Sequence, residues 1–121
     1  MKWYINKSNP ICPQICEQIC VGIASNEFLP NQKIYSVREL ALLIGVTPNT
    51  VQKSYEILNE SGVIYSVKGS GWYVGENIEL AKKTVDSLKK KKTDVYLLEM
   101  QQIGYDEKKT MEYLKERFGE H

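Results

Sequence analysis

The 121 residues have a formal net charge of +1, from 16 basic and 15 acidic side chains, and 42% of them are hydrophobic. This length and composition fit one compact globular domain with an appendage, and they exclude a disordered chain and a strongly basic polyanion-binding protein. No apolar run is long enough to span a bilayer, and the opening residues MKWYINKSNP lack the apolar stretch of a secretory signal. We therefore expect a cytoplasmic protein with no membrane contact.

The first predicted helix begins near Ile11–Pro13, since proline suits a first helical turn, and ends near Ser25. It contains all three cysteines of the chain, Cys12, Cys16 and Cys20, spaced by four residues. Along a helix the outer two lie about 12 Å apart, so the three thiolates are unable to share one zinc ion, and we expect no metal and no cofactor. The neighbouring isoleucines favour a buried face, with a redox sensor as the alternative.

A helix-turn-helix is predicted next. Ser36 and Glu39 form the pattern of a capping box, which marks the start of a helix. Gly45 ends that helix, and Thr47 followed by Pro48 has the chemistry of a new N-terminus. Two helices separated by only a short turn are the layout of a helix-turn-helix. The apolar residues predicted to face the core are Val37, Leu40, Ala41, Ile44, Val51, Tyr55 and Leu58.

Two short strands follow the second helix. Val63–Val67 and Gly71–Val74 are rich in β-branched and aromatic residues, and the glycine-containing stretch between them, Lys68–Gly71, is typical of a hairpin tip. A hairpin directly after a helix-turn-helix is a wing. The predicted fold class is therefore mainly α with a small β-hairpin, comprising a winged helix-turn-helix over residues 1–75 and a short α-helical dimerisation tail over residues 76–121.

The tail is expected to hold three helices and to contribute nothing to the core of the winged domain. Its first apolar residues are spaced by three, four and three residues, which makes a narrow apolar seam suited to a partner helix. The alternative is that later helices of the same chain cover this seam. A second helix is expected to begin at Thr93 or Asp94 and a third at Asp106. The predicted dimer interface consists of Ile78, Ala81, Val85, Leu88, Leu98, Met111 and Leu114.

Charge in the tail is unevenly distributed. The stretch from Lys82 to Lys92 contains six lysines and one acid, whereas the residues from Thr93 onward contain seven acids and four bases. A lysine-rich stretch is most often a solvated helix surface and less often a contact to nucleic acid. Both interpretations stay open.

The polar start of the second helix of the helix-turn-helix is suited to DNA. In this motif the N-terminal residues of the second helix enter the major groove and face base edges. Asn49 can hydrogen-bond adenine, and Thr50 offers a hydroxyl and a methyl group suited to thymine. Arg38 has the planar fork for guanine or phosphate, and Lys68 at the hairpin tip can reach the backbone or the minor groove. The alternative for these polar residues is that they are exposed side chains without a ligand. For Arg38 the alternative is an ion pair with a surface carboxylate.

Four stretches match the motifs of one protein family. They are residues 11–15 (ICPQI), 35–41 (YSVRELA), 45–51 (GVTPNTV) and 68–71 (KGSG), of which the third is the most specific. In these stretches the chain resembles the GntR family of bacterial transcription regulators, and its short YtrA-type members in particular. The resemblance implies contact with operator DNA, a homodimer held by the helical tail, and repression. The predicted DNA-contacting residues are Ser36, Arg38, Thr47, Pro48, Asn49, Thr50, Gln52, Lys53, Lys68, Gly69 and Ser70.

Among other functional classes, an enzyme is not expected, because the only histidine is His121 and no residue lies in a recognisable catalytic motif. A winged-helix module that binds another protein is the main alternative, but such a module would expose apolar residues where Pro48–Thr50 lie. We therefore predict a sequence-specific DNA-binding regulator that acts as a homodimer on an inverted-repeat operator. The sequence identifies neither the operator nor a small-molecule effector.

Overall fold

The computed structural model describes residues 1–119, so His121 lies outside the described residues. The chain divides into two compact units, one from Met1 to Val85 and a second that begins at Asp86. None of the described helices is both long and apolar enough to cross a membrane. The predicted class, mainly α with a small hairpin, is confirmed. The elements in chain order are α1 (Ile11–Ala24), α2 (Val37–Ile44), α3 (Pro48–Glu60), β1 (Ile64–Val67), β2 (Gly71–Val74), α4 (Glu79–Gln102) and α5 (Glu107–Gly119).

Local capping chemistry sets the ends of α2 and α3. The Ser36 hydroxyl accepts from the Glu39 N–H at 3.1 Å, and Glu39 Oε1 accepts from the Ser36 N–H at 2.9 Å. Gly45 ends α2 with a φ of 72°, a left-handed conformation that glycine adopts without a side-chain clash. Thr47 caps α3, and its Oγ1 accepts from the Thr50 N–H at 3.4 Å. The predicted capping box, glycine stop and threonine cap are confirmed.

The core of the first unit is formed by α1, the helix-turn-helix and the hairpin. Its buried apolar side chains include one isoleucine stripe of α1 and the inner faces of α2 and α3, as predicted. Cys20 is 2% exposed and belongs to this core, whereas Cys12 and Cys16 are half-buried. Each large apolar side chain that leaves water stabilises the fold by about 1.5–3 kcal/mol. The largest fully buried apolar side chains are Tyr55, Ile15, Ile19, Ile23, Leu40, Ile64, Val51 and Val74.

The wing is an antiparallel hairpin with an additional backbone neighbour. β1 and β2 pair along their full length. Lys33, in the segment before α2, forms an isolated antiparallel bridge with Tyr73, and the Ile34 N–H donates to the Trp72 carbonyl at 2.9 Å. These bonds attach the wing to the segment that leads into the helix-turn-helix, so the two parts are held as one body.

The tail differs from the predicted three helices. α4 continues without a break through Thr93 and Asp94, and Thr93 Oγ1 donates to the Lys89 carbonyl at 2.8 Å. A threonine hydroxyl that bonds back one turn lies inside a helix, whereas a cap accepts from a backbone N–H. The predicted break is therefore wrong. The predicted cap at Asp106 is confirmed, because its Oδ1 accepts from the Lys109 N–H at 2.8 Å.

The first turns of α4 belong to the core of the first unit. Ala81 is 1% exposed and lies in the core cluster, and Ile78 and Leu80 pack against that cluster. The expectation that nothing after residue 75 contributes to this core is wrong, because α4 begins by covering it. Ala81 is accordingly buried within its own chain and is not an exposed member of the predicted seam.

The N-terminal residues form an extended arm on the first unit. Met1, Trp3 and Ile5 pack against the core, while Tyr4 between them is 66% exposed. Alternate residues of an extended chain point to opposite sides, which explains this pattern. We refer to residues 1–10 as the N-terminal arm.

Gly22 of α1 lies under the arm and leaves no room for a side chain. A Cβ there would be 2.6 Å from the Phe28 ring and 2.8 Å from Met1 Sδ. We expect Gly22→Ala to lower the free energy of unfolding by about 1–3 kcal/mol, because overpacking forces neighbouring groups to move. Chemical denaturation measures this, with Gly119→Ala, whose Cβ meets nothing within 4 Å, as the control. An unchanged stability for Gly22→Ala would contradict the packing described here.

Candidate nucleic-acid interface

The first turn of α3 presents polar groups to solvent. Thr47, Pro48 and Asn49 are exposed, and Thr50 is half-buried. The hydroxyls of Thr47 and Thr50 lie 2.9 Å apart and share a hydrogen bond, so they support each other at the helix start. Within residues 1–119 the Asn49 side-chain amide has no hydrogen-bond partner. This turn therefore offers a free amide beside two ordered hydroxyls.

The second turn of α3 holds one engaged and one free polar side chain. Gln52 Nε2 donates to Glu56 Oε1 at 3.0 Å, an i,i+4 pair along the helix surface. Lys53 is exposed and forms no ion pair with any of the described residues. The bond to Glu56 uses one of the two Nε2 hydrogens of Gln52 and leaves its Oε1 and the other hydrogen for a DNA contact, and Lys53 is available without rearrangement.

The start of α2 places Ser36 and Arg38 at the surface. Hydrogen bonds from the Ser36 backbone and hydroxyl, together with the nearby Lys33 ammonium, lower the pKa of the Glu39 carboxyl. This carboxylate is thus committed to the cap and is ionised at neutral pH. Arg38 is exposed, and no carboxylate among residues 1–119 pairs with it, so the surface ion pair considered for Arg38 is not formed there.

The wing tip is a short, ordered turn. The Ser70 N–H donates to the Val67 carbonyl at 2.9 Å, and the Ser70 hydroxyl hydrogen-bonds the Tyr73 hydroxyl. Gly69 has a φ of 77°, which favours glycine at the apex. Lys68 is exposed beside it, so the tip carries one positive charge on a fixed loop.

Lys33 adds a positive charge between the wing and α2, and sequence reasoning missed it. Its Cε lies 3.1 Å from the position that a Cβ on Gly71 would take, and its positive charge helps to lower the pKa of the Glu39 carboxyl. The bridge to Tyr73 that places Lys33 there joins residues far apart in the sequence. No local pattern predicts such a pairing.

Tyr55 fixes α3 against both neighbouring parts of the candidate interface. Its hydroxyl donates to the Tyr35 carbonyl at 2.8 Å, just before the capping box, and burial raises its pKa. Its ring meets Trp72 of β2 edge-on, with centroids 5.3 Å apart. One side chain thus ties α3 to the start of α2 and to the wing. The first turn of α3, the start of α2 and the wing tip all lie in the same compact unit.

Comparison with known proteins identifies the family. The family described as "Bacterial regulatory proteins, gntR family" matches residues 13–74, about half of the chain. The chain belongs to the GntR family. The HTH-type transcriptional repressor YtrA of Bacillus subtilis (strain 168) is 34% identical to it over 113 residues, which span 90% of this chain and 85% of YtrA.

Solved structures place the fold of this GntR-family chain among transcriptional regulators. A GntR family transcriptional regulator from Listeria monocytogenes superposes with a TM-score of 0.79 at 31% identity, over 93% of this chain and 98% of that one. AraR(DBD), solved in complex with operator ORR3, matches 53% of this chain and 77% of its own with a TM-score of 0.51 at 36% identity. The GntR-family chain is a DNA-binding transcriptional regulator of the winged helix-turn-helix type.

The cysteines of this GntR-family chain hold α3 from the side of α1. The Cys12 thiol donates to the Thr50 carbonyl at 3.4 Å, and the Cys16 thiol donates to the Ser54 carbonyl at 3.5 Å. Burial, with smaller contributions from neighbouring groups, raises the pKa of Cys16 to about 11, and burial also raises the pKa of Cys20. Because the thiolate is the reactive form, these two thiols are poor redox sensors at neutral pH. The i,i+4 spacing indicated a packed face, but not that two thiols bond to α3.

We expect Cys16 in the native chain to react with iodoacetamide at pH 8 about a hundredfold more slowly than in the unfolded chain, because its pKa moves from 9.0 to about 11. Timed labelling followed by mass spectrometry of the peptides measures the rates, with the chain in denaturant as the reference. The same shift predicts that stability falls as the pH rises from about 9 towards 11, since the unfolded thiol ionises first. Equal labelling rates in the native and unfolded chains would contradict the raised pKa.

Proposed function

We propose that this chain is a repressor that binds an inverted-repeat operator as a homodimer. One observation carries the proposal: the first turn of α3 presents the Asn49 amide, which has no partner among residues 1–119, on a helix held by Tyr55. Short polar side chains at a helix start allow the helix to enter a major groove deeply. The helix N-terminus also favours a phosphate, since its backbone N–H groups carry partial positive charge.

The interface divides into groups that read bases and groups that hold the backbone. Asn49 has the donor and acceptor pair that matches adenine N6 and N7, and Thr50 has a methyl group suited to thymine. Arg38 and Lys68 are exposed cations on separate elements and are suited to phosphates. In this proposal specificity comes from α3, and general affinity comes from the start of α2 and the wing.

A homodimer is supported by the apolar surface of the second unit. Leu98 is 56% exposed and Met111 is 51% exposed, and Ile103 and Phe118 are each 70% exposed. Large apolar side chains concentrated in this way mark an interface. A second copy of the chain would cover them and would present two recognition helices, as a symmetric operator requires.

Repression as the regulatory outcome is supported by the similarity to YtrA, which is described as a transcriptional repressor. Blocking a promoter requires only tight and specific DNA binding, so the proposed role needs no catalytic activity and no cofactor of the chain's own. A protein that binds operator DNA acts where the chromosome lies, which in a bacterium is the cytoplasm.

Titration of the full chain into a fluorescent mixed-sequence duplex tests DNA binding directly. We expect saturable binding at low salt that weakens steeply as salt is added, because cations on the protein release counterions from the phosphates. A winged-helix module whose partner is another protein would show no binding to duplex DNA at low salt. That result would overturn the proposed function.

A further inference from the structure

The N-terminal arm is rigidly attached near the helix-turn-helix. Gln14 joins α1 to the arm by two hydrogen bonds. Its Oε1 accepts from the Asn6 N–H at 2.7 Å, and its Nε2 donates to the Asn6 carbonyl at 2.8 Å. The same Nε2 lies 2.9 Å from the Pro10 carbonyl. The Asn9 N–H donates to the Asn6 carbonyl, which closes a turn around Lys7. Lys7 is therefore carried on a fixed loop.

This loop places the Lys7 ammonium at the turn of the helix-turn-helix. Lys7 Nζ lies 2.9 Å from the position that a Cβ on Gly45 would occupy. Gly45 ends α2, and only Val46 separates it from Thr47, which caps α3. The ammonium therefore lies at the turn that leads into α3, whose first turn carries Asn49.

The Lys7 ammonium has no partner in the part of the chain that the structure describes. Lys7 is exposed, and its ammonium forms neither a hydrogen bond nor an ion pair with any residue between 1 and 119. A lysine held over a helix C-terminus without bonding to its carbonyls gains only a weak interaction with the helix dipole. Its position is better explained by a ligand of negative charge that arrives from outside.

We propose that Lys7 binds a DNA phosphate next to the base pairs read by α3, so that the N-terminal arm is part of the DNA interface. This inference rests on the proposed DNA-binding function and adds a contact outside the helix-turn-helix and the wing. The bonds of Gln14 hold the loop in place before DNA binds, so little conformational entropy of the backbone is lost on binding. Because a phosphate carries no sequence information, Lys7 contributes affinity without specificity.

The test is the salt dependence of DNA binding by Lys7→Gln in the full chain, measured on a mixed-sequence duplex. Loss of one phosphate contact makes the log–log slope shallower by about 0.9 for each bound chain. Between about 50 and 200 mM salt, wild-type affinity should then fall about 3.5-fold further than that of the variant for each chain. Lys7→Arg keeps the charge and should keep the wild-type slope.

Lys2→Gln is the matched control, because Lys2 is an exposed lysine of the same arm whose ammonium lies 5.7 Å from the Tyr4 ring centroid. It removes the same charge from another position of the arm and should leave the slope unchanged. Equal slopes for wild-type and Lys7→Gln would overturn the inference. A purely structural lysine would give a lower affinity with an unchanged slope and a lower unfolding temperature, and that result would also overturn the inference. Failure of the wild-type chain to bind DNA would instead overturn the proposed function.

Discussion

Replacing Leu98 and Met111 with glutamate is expected to convert the proposed homodimer into a monomer and to weaken operator binding by about 10²–10⁴. Both side chains are more than half exposed in the single chain, so the charges cost little in the monomer. In the dimer they would be placed inside an apolar contact, where unpaired carboxylates are strongly unfavourable. Once the copies separate, the second half-site is no longer held at high effective concentration near the first.

Sedimentation of the full-length double variant, combined with operator titration, measures both effects. Leu29→Glu is the control, because Leu29 is 53% exposed and lies outside the tail, so it adds a carboxylate at a similarly exposed apolar position. It should remain dimeric, and any loss of DNA affinity it shows is the general effect of added negative charge. A double variant that still sediments as a dimer would place the interface elsewhere.

The structure also changes how a truncation should be designed. A chain ending at Gly75, the boundary that the sequence favours, would remove Ala81 and expose the core that it covers. A chain ending at Val85 keeps that cover and removes Leu98 and Met111. We expect the chain ending at Val85 to remain folded and to sediment as a monomer. A truncated chain that sediments as a dimer would move the interface into the first unit.

Asn49→Ala is expected to relax sequence preference at one or two positions of each half-site. Each lost base contact should cost about 1–3 kcal/mol, and a dimer has two such contacts. The amide has no partner within residues 1–119. Its removal therefore disturbs no internal hydrogen bond, and the effect should appear in DNA binding and not in stability. Titration of operator duplexes with single base-pair changes measures the preference.

Lys68→Ala provides the comparison for Asn49→Ala. Lys68 lies on the ordered wing tip, so its loss should weaken binding to all sequences alike and reduce the salt slope by about one phosphate contact. Identical sequence profiles for the two variants would contradict the division between base-reading and phosphate-binding residues.

The elements that the sequence predicts correctly are those fixed by local chemistry. Ser36 with Glu39, Gly45 and Thr47 with Pro48 each depend on neighbours within a few residues, so their patterns transfer directly to structure. The wing follows from two β-branched stretches around a glycine turn in the same way. In the tail, the sequence predicts a cap at Thr93 or Asp94, but the Thr93 hydroxyl bonds back within α4, because either use is available to threonine.

The features that the sequence does not predict depend on contacts between distant residues. Cys12 and Cys16 bond to carbonyls of α3, and Lys33 meets the wing only because Ile34 pairs with β2. Lys7 reaches the turn of the helix-turn-helix through the bonds of Gln14 to the arm. Spacing within one segment carries no information about such partners, so the sequence predicts the capped helix ends and the wing but not the contacts that join them to α1, Lys33 and the arm.

Selection of bound duplexes from a random pool by the full chain tests the central claim most directly. A homodimer that reads DNA with α3 should enrich an inverted repeat whose half-site centres lie about 34 Å apart, or a multiple of that distance. The same selection with Asn49→Ala should keep the spacing and lose preference within each half-site. Enrichment of a single asymmetric site, or of no sequence at all, would contradict the account.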